Sequence, residues 1–425
     1  MTKQDKAIET CLPINSFFIY SFAKPYISDP ISVSLTGVYM GYEKSDRKVL
    51  TKSRTIRLTV LVVVLVFSTT LGIMHQFAKG WVPVGVDAFC PFGGIESAFS
   101  LIVTGTMLQR IAWSSFTLLL AVILVTVLFR RSFCGNICPL GTLQELFGKI
   151  GKKLFGRHFN VPSRIDRIAR YGKYVMLAVF VTLTYILGRL VIRPYDPWVA
   201  YHHLFSSDLF NEFSIGFAVL VVSLIGSLFI DRAFCKYLCP MGGFLGLIHS
   251  IGIFRVRRND ASCIHCNACD RACPVNIHVE AVEQVQSAEC LNCNECVNAC
   301  PVRDTLWVSG KRRGRLSPVT VVLVSLALFV VVTVTAGFTG GFEWKQKTLM
   351  EQIDKTGAFN PDDILGRDTF REVSEITGIK RKLFLEQFNI TEEDFELPIK
   401  DAAHREGSGF DTESVREFVR EQLKE

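Results

Sequence analysis

The chain has 425 residues, 49% of them hydrophobic and only 20% charged, and its mean hydropathy of +0.29 excludes an ordinary soluble protein of this size. The net charge of +7 hides a split: from Thr339 onward 13 basic and 20 acidic residues give −7, so the preceding part carries +14. Those basic residues crowd beside apolar stretches, as membrane flanks do, and no nucleic-acid partner is expected.

Residues 1–54 read as a poorly ordered cytoplasmic extension. Phe17, Phe18, Tyr20 and Phe22 form an aromatic patch, Pro25 and Pro30 break any regular element, Met40 offers a more natural start, and Cys11 stands alone without an assigned role. The pattern of a cleavable leader is not present there. Five apolar stretches then approach the roughly 20 residues a bilayer demands, near 58–77, 111–129, 174–192, 213–230 and 319–338. About five transmembrane helices are therefore expected.

Basic residues orient them. Lys44, Arg47, Lys48, Lys52 and Arg54 precede the first stretch; ten Lys or Arg lie from Arg130 to Lys173; Arg255, Arg257, Arg258, Lys311, Arg312, Arg313 and Arg315 precede the fifth. The intervening loops hold only Lys79, Arg110 and Arg193. A multi-pass inner-membrane protein follows, with the amino terminus cytoplasmic and the carboxyl terminus external.

Residues 55–254 form the expected four-helix membrane core, and it repeats. Phe133-Cys134-Gly-Asn-Ile-Cys138-Pro139-Leu-Gly141 recurs as Phe234-Cys235-Lys-Tyr-Leu-Cys239-Pro240-Met-Gly242, 101 residues later. More faintly, Cys90-Pro91 corresponds to Asp196-Pro197. Two spans per unit make the repeats parallel and bring both Cys-x3-Cys-Pro motifs to the cytoplasmic face. Cysteines four apart can share a face of a helical turn that the proline ends. The four thiols Cys134, Cys138, Cys235 and Cys239 could hold a further 4Fe–4S cluster, with Arg130, Arg131 and Arg232 near in sequence to offset its charge. A thiol–disulfide relay, another metal, or packing alone also stay open from the residues.

Residues 255–310 carry the strongest signal. Cys-x2-Cys-x2-Cys-x3-Cys-Pro is written at 263, 266, 269, 273 and again at 290, 293, 296, 300. In this bacterial ferredoxin run each set of three thiolates holds one cubane and the fourth reaches across to the other. Cys263, Cys266, Cys269 and Cys300 would hold one cluster, and Cys290, Cys293, Cys296 and Cys273 the second. Zinc also uses Cys-x2-Cys pairs, but it leaves the doubled third cysteine and the proline without purpose. Cytoplasmic placement keeps the thiols reduced, so these cysteines read as metal ligands.

The fifth span, 317–338, leads to an external helical domain, 339–425. Thr369–Gly378 reads as an amphipathic helix closed by glycine, Lys380–Phe388 as a second, and Thr412–Leu423 as a third with Asp411 as N-cap. Outer-side candidates for proton chemistry are His75, Cys90, His202 and His203. Cys-x-x-Cys-His, a P-loop and a dinucleotide fingerprint do not occur. The fold class is thus a membrane α-helical protein with a parallel internal repeat, an inserted two-cluster ferredoxin domain and a small C-terminal helical domain.

The paired Cys-x3-Cys-Pro motifs, the segment Cys90-Pro-Phe-Gly-Gly-Ile-Glu-Ser97 and the double-cubane run resemble the NapH/NosR-type membrane iron–sulfur proteins over about residues 55–310. NapH is the nearer type, because the large external flavin-binding domain of NosR is missing. The resemblance implies quinol oxidation at the membrane and electron delivery to a partner reductase, cytochrome or iron–sulfur subunit. Alternatives are an accessory or assembly reductase, as in CcoG-type proteins, and a membrane redox sensor. The fifth span and acidic external domain depart from the simplest NapH pattern.

Overall fold

The computed structural model describes residues 44–77, 90–104, 113–156, 159, 161–187, 191–206, 208–310, 314–342, 349–356, 359–361, 364–403, 405 and 409–423. Most of the expected amino-terminal extension, including Cys11, lies outside the described residues, as do Lys79, Arg110 and Lys311, Arg312 and Arg313.

The chain is mostly helical: α1 Lys44–Phe77, α2 Pro91–Thr104, α3 Trp113–Phe129, α4 Ser132–Asn136, α5 Pro139–Phe155, α6 Ser163–Ala169, α7 Gly172–Leu187, α8 Pro197–His202, α9 Ser214–Phe229, α10 Ala233–Tyr237 and α11 Pro240–Ile248. There follow β1 Arg255–Arg258, α12 Ala268–Arg271, α13 Glu295–Ala299, β2 Leu306–Ser309, β3 Arg315–Leu316, α14 Pro318–Phe338, α15 Phe370–Thr377, α16 Arg381–Phe388 and α17 Thr412–Gln422. Prolines open α2, α5, α8, α11 and α14, where a missing N–H costs nothing and φ is already helical. Each of the five expected spans overlaps a helix among the described residues. Two are long and apolar enough to cross a bilayer, at Lys52–Phe77 with 26 residues and Pro318–Phe338 with 21. The helices α3, α7 and α9 have 17, 16 and 16 described residues.

The chain divides into two compact units. The first comprises residues 1–61, 126–137 and 246–326. Its antiparallel sheet has the order β1-β2-β3, with Val256 opposite Val308 and Arg258 opposite Leu306. Strand alternation sends Val256 and Val308 into a core with Phe129, Phe254, Val279, Val285 and Leu306, while the arginines beside Val256 stay partly exposed. Cys269 and Cys290 belong to that same core. The second unit comprises residues 62–125, 138–245 and 327–425. There α9 packs on α5 and α8, and α2 on α7.

In the carboxyl-terminal part of the second unit, Phe370, Phe384, Phe388 and Phe395 are buried with Val373, Val415 and Val419. Thr369 and Glu372 form a capping box at the start of α15, and Gly378 closes it at φ 74°, the left-handed region glycine favours. Asp411 caps α17 by accepting from Ser414 N–H at 2.8 Å.

One local expectation is corrected. Cysteines four apart do not share a helical face here: Cys134 lies inside the short helix α4, whereas Cys138 is the extended N-cap of α5, at φ −57° and ψ 118°. Cys235 and Cys239 repeat this, one within α10 and one just before α11. The proline drives the change, because it both stops the first turn and starts the next helix.

Candidate metal centres

The ferredoxin segment of the first unit contains two cavities of similar size, about 330 and 350 Å³ with open space included. Cys263, Cys266, Cys269 and Cys300 line the first. Cys273, Cys290, Cys293 and Cys296 line the second. Each cavity therefore draws three cysteines from one copy of the run and one from the other. The loops turn tightly because His265, Asn267, Asn292 and Asn294 adopt positive φ of 52°, 54°, 48° and 62°. Asn reaches this left-handed region more cheaply than other side chains, and the same offsets recur in both copies. Those turns went unread in the sequence, although the paired asparagines at 267 and 294 were the available signal.

The donor chemistry suits a metal cluster. Burial pushes the Cys269 and Cys273 thiols up to about 12 and the Cys296 thiol upward too, with neighbouring thiol and Asp270 charge adding to it. Bare thiolates are thus expensive here, whereas iron ligation spreads their charge. The Ile277 N–H points at Cys273 Sγ from 3.4 Å.

Two arginines that directly follow α3 hold this region. Arg130 donates to the carbonyls of Val285, Gln286 and Ser287 at 2.6, 2.8 and 2.9 Å, and Arg131 to Ala288 O at 3.1 Å and to Glu289 at 3.2 Å. They clamp the approach to Cys290. In the second unit, Arg232 pairs with Glu145 at 2.7 Å. The three arginines expected to offset charge at the Cys-x3-Cys motifs are therefore engaged with carbonyls and carboxylates. Arg57, 1% exposed, donates to Gly135 O at 2.9 Å and to Glu295 at 2.9 Å. Gly135 itself has no room for a side chain: a Cβ there would collide with Leu291 O and stand 3.3 Å from Cys293 Cβ. The turn bearing Cys134 thus packs directly on the loop bearing Cys293.

Of the four cysteines of the Cys-x3-Cys-Pro repeats, three (Cys138, Cys235 and Cys239) lie in the second unit. Cys138 and Cys239 pack on one apolar cluster formed by Leu140, Leu143, Trp198, Leu220 and Phe234. Gln144, fully buried on α5, donates to Cys235 Sγ at 3.2 Å. The Gly242 N–H points at Cys239 Sγ from 3.4 Å.

The candidates for proton chemistry separate. Cys90 donates to Asp196 at 3.4 Å, joining the two positions matched by the faint internal correspondence. His202 is buried, edge-on to Trp198 at 4.4 Å, and burial, with His203 and His75, lowers its pKa to about 3. It stays neutral at physiological pH and is a weak base. His203 stacks on Phe213 at 4.4 Å. Sequence reasoning missed Glu96, which is fully buried, accepts from Thr184 at 2.7 Å, and is pushed up to about 8 by burial.

A family model described as a 4Fe-4S binding domain matches this chain twice, at residues 111–158 and 214–259. A second, a 4Fe-4S dicluster domain, matches residues 255–301. YccM of Escherichia coli (strain K12) is 35% identical over 210 residues, 48% of this chain and 58% of YccM, so the chain spans little more than half of that relative. Protein MJ0750 of Methanocaldococcus jannaschii is 32% identical over 192 residues, 45% of this chain and 74% of the relative. The ferredoxin-type protein NapH of Haemophilus influenzae is 29% identical over 178 residues, 41% of this chain and 59% of NapH. No solved structure matches.

Doubled four-cysteine cavities, matched by 4Fe-4S domain models, define a ferredoxin-type iron–sulfur protein, and two of its helices are long and apolar enough to cross a membrane. The chain belongs with MJ0750 to a family of proteins carrying these 4Fe-4S domains, and it is similar to the ferredoxin-type protein NapH.

Proposed function

We propose that this protein carries electrons between the quinone pool and a partner reductase, cytochrome or iron–sulfur subunit, through 4Fe–4S clusters held at the inner membrane surface. The observation that carries this reading is the reciprocal lining of the two cavities, Cys300 joining the first cysteine triplet and Cys273 the second. A 4Fe–4S cluster supplies one-electron transfer at a potential tuned by hydrogen bonds, charge and burial. The residues assigned to the first are Cys263, Cys266, Cys269 and Cys300; to the second, Cys273, Cys290, Cys293 and Cys296. A third cluster on Cys134, Cys138, Cys235 and Cys239 belongs to the reading; the 4Fe-4S family model that matches both copies of the repeat supports it.

The proposed topology has five crossings, α1, α3, α7, α9 and α14, with the ferredoxin segment inside and residues 339–425 outside. Exposed Val63, Phe67, Val222, Val331 and Phe338 on these helices favour a lipid setting over water. Electrons enter the ferredoxin segment at the Cys273/Cys290/Cys293/Cys296 site, a route supported by the close approach of Gly135 to Leu291 and Cys293. They leave from the other site, whose rim carries Ile264 at 57% exposure. A quinol yields two protons with its two electrons, and the outer-side groups Asp196, Glu96 and His75 are the candidates to receive them, Cys90 already holding its proton against Asp196.

Stopped-flow mixing of anaerobic membranes containing only this chain with a reduced quinol analogue tests the function. Bleaching of the broad visible cluster absorption is expected. Absorption unchanged at every quinol potential contradicts quinone coupling.

A further inference from the structure

Gln144 is an amide with all of its hydrogen bonding committed to the opposite repeat. It sits in α5, just after the first Cys-x3-Cys-Pro motif, yet its contacts fall on the second. Its Oε1 accepts from the backbone N–H groups of Phe234 at 3.1 Å and Cys235 at 3.3 Å and from Ser227 Oγ at 3.5 Å. Its Nε2 donates to Cys235 Sγ at 3.2 Å. A buried amide normally satisfies its N–H groups with oxygen, because a neutral thiol is a poor acceptor. A thiolate, free or shared with iron, is a much better one.

The arrangement is also one-sided. With the two motifs offset by 101 residues, the position equivalent to Gln144 in the second repeat is Leu245, which is buried and cannot donate. Two cysteine pairs of identical spacing thus have unequal positions opposite them: a side-chain amide aimed at Cys235 Sγ from the first repeat, and an apolar leucine at the matching position of the second.

We infer that Gln144 is a positioning residue for the third cluster, orienting Cys235 as a ligand and raising the cluster's reduction potential through its N–H to sulfur bond. The inference rests on the proposed third cluster. The physical reason is that reduction adds an electron to the iron–sulfur core and charge to its sulfurs, and a fixed donor stabilises that added charge. Leu245 does nothing comparable for the first motif. The electron therefore meets a site biased toward the reduced state before passing to the ferredoxin segment.

Iron analysis of the unaltered full-length protein first settles the underlying reading: about twelve iron atoms per chain support three cubanes, while about eight remove the third and with it the role for Gln144. Given three cubanes, the inference is tested by EPR-monitored redox titration of Gln144→Glu and Gln144→Leu in the full chain. Gln144→Glu keeps an oxygen for the Phe234 and Cys235 N–H groups and loses the amide donor. Its third-cluster potential is expected to fall below the unaltered value at alkaline pH and to climb back as the new carboxyl protonates and donates. The other two potentials should not move. A Gln144→Glu potential identical to the unaltered protein at every pH overturns the inference and leaves Gln144 a backbone clamp only. Should neither variant retain the cluster, pulsed EPR of the unaltered reduced protein with isotopically labelled glutamine side-chain nitrogen decides. A nitrogen coupling to the third cluster supports the contact, and its absence overturns it.

Discussion

The ferredoxin segment and the carboxyl-terminal helices are stabilised in opposite ways. Residues 364–423 surround a continuous apolar core in which Phe384 lies 5.7 Å from Phe370 and 5.3 Å from Phe418, ring centre to ring centre, and helix caps are supplied in sequence. The ferredoxin segment has short strands, short helices and cysteines in the place of apolar anchors, with Cys269 and Cys290 inside its core. One region folds on burial alone; the other needs a metal cluster to complete its interior. The proposed function follows the same division, because the region built around the cysteine cavities is the one assigned to electron transfer.

The largest effect expected from this contrast comes from anaerobic iron removal by a chelator. Amide exchange should accelerate across residues 255–310 by orders of magnitude and stay unchanged across 364–423. Equal loss of protection in both would break the comparison. Next comes Cys266→Ser, which should strip one cubane and destabilise the other, since one folded loop system lines both cavities. Iron content falling by about four atoms or more per chain is the readout.

Phe384→Ala acts on the other region. Removing this fully buried ring should cost about 3–5 kcal/mol in the carboxyl-terminal helices, seen as early local unfolding, with iron content unchanged. Smallest is the effect of Asp368→Asn. Burial raises the Asp368 carboxyl from 3.8 to about 6, so the folded state holds the proton more tightly than the unfolded chain. Its stabilising contribution is complete below 3.8 and is lost as pH rises through about 6. The difference in Tm between Asp368→Asn and the unaltered protein should therefore change across that window and be flat above it. A constant difference contradicts the assignment.

What could be read from the sequence was local. The eight ferredoxin cysteines announce themselves by spacing, the helix at Phe370–Thr377 by Thr369, Glu372 and Gly378, and the apolar helices by composition. What could not be read was long-range. The Arg130 clamp on Val285, the Gln144 bond to Cys235 and the Cys90 bond to Asp196 join residues separated by 155, 91 and 106 positions, and such partners leave no periodic trace. The strand β1 was equally silent, because Arg255-Val-Arg-Arg258 offers one apolar residue and its pairing with β2 decides its shape. The Cys-x3-Cys geometry was misread for a different reason: proline's power to start a helix outweighed its power to end one.

The claim on which the rest depends is that two cubanes occupy the crossed cysteine sets. Iron and acid-labile sulfide analysis of the anaerobically purified full-length chain, with EPR of the reduced protein, tests it most directly. At least about eight iron and eight sulfide per chain, with the signal lost in Cys263→Ser also altered in Cys300→Ser, is the predicted result. A colourless protein without acid-labile sulfide would contradict it.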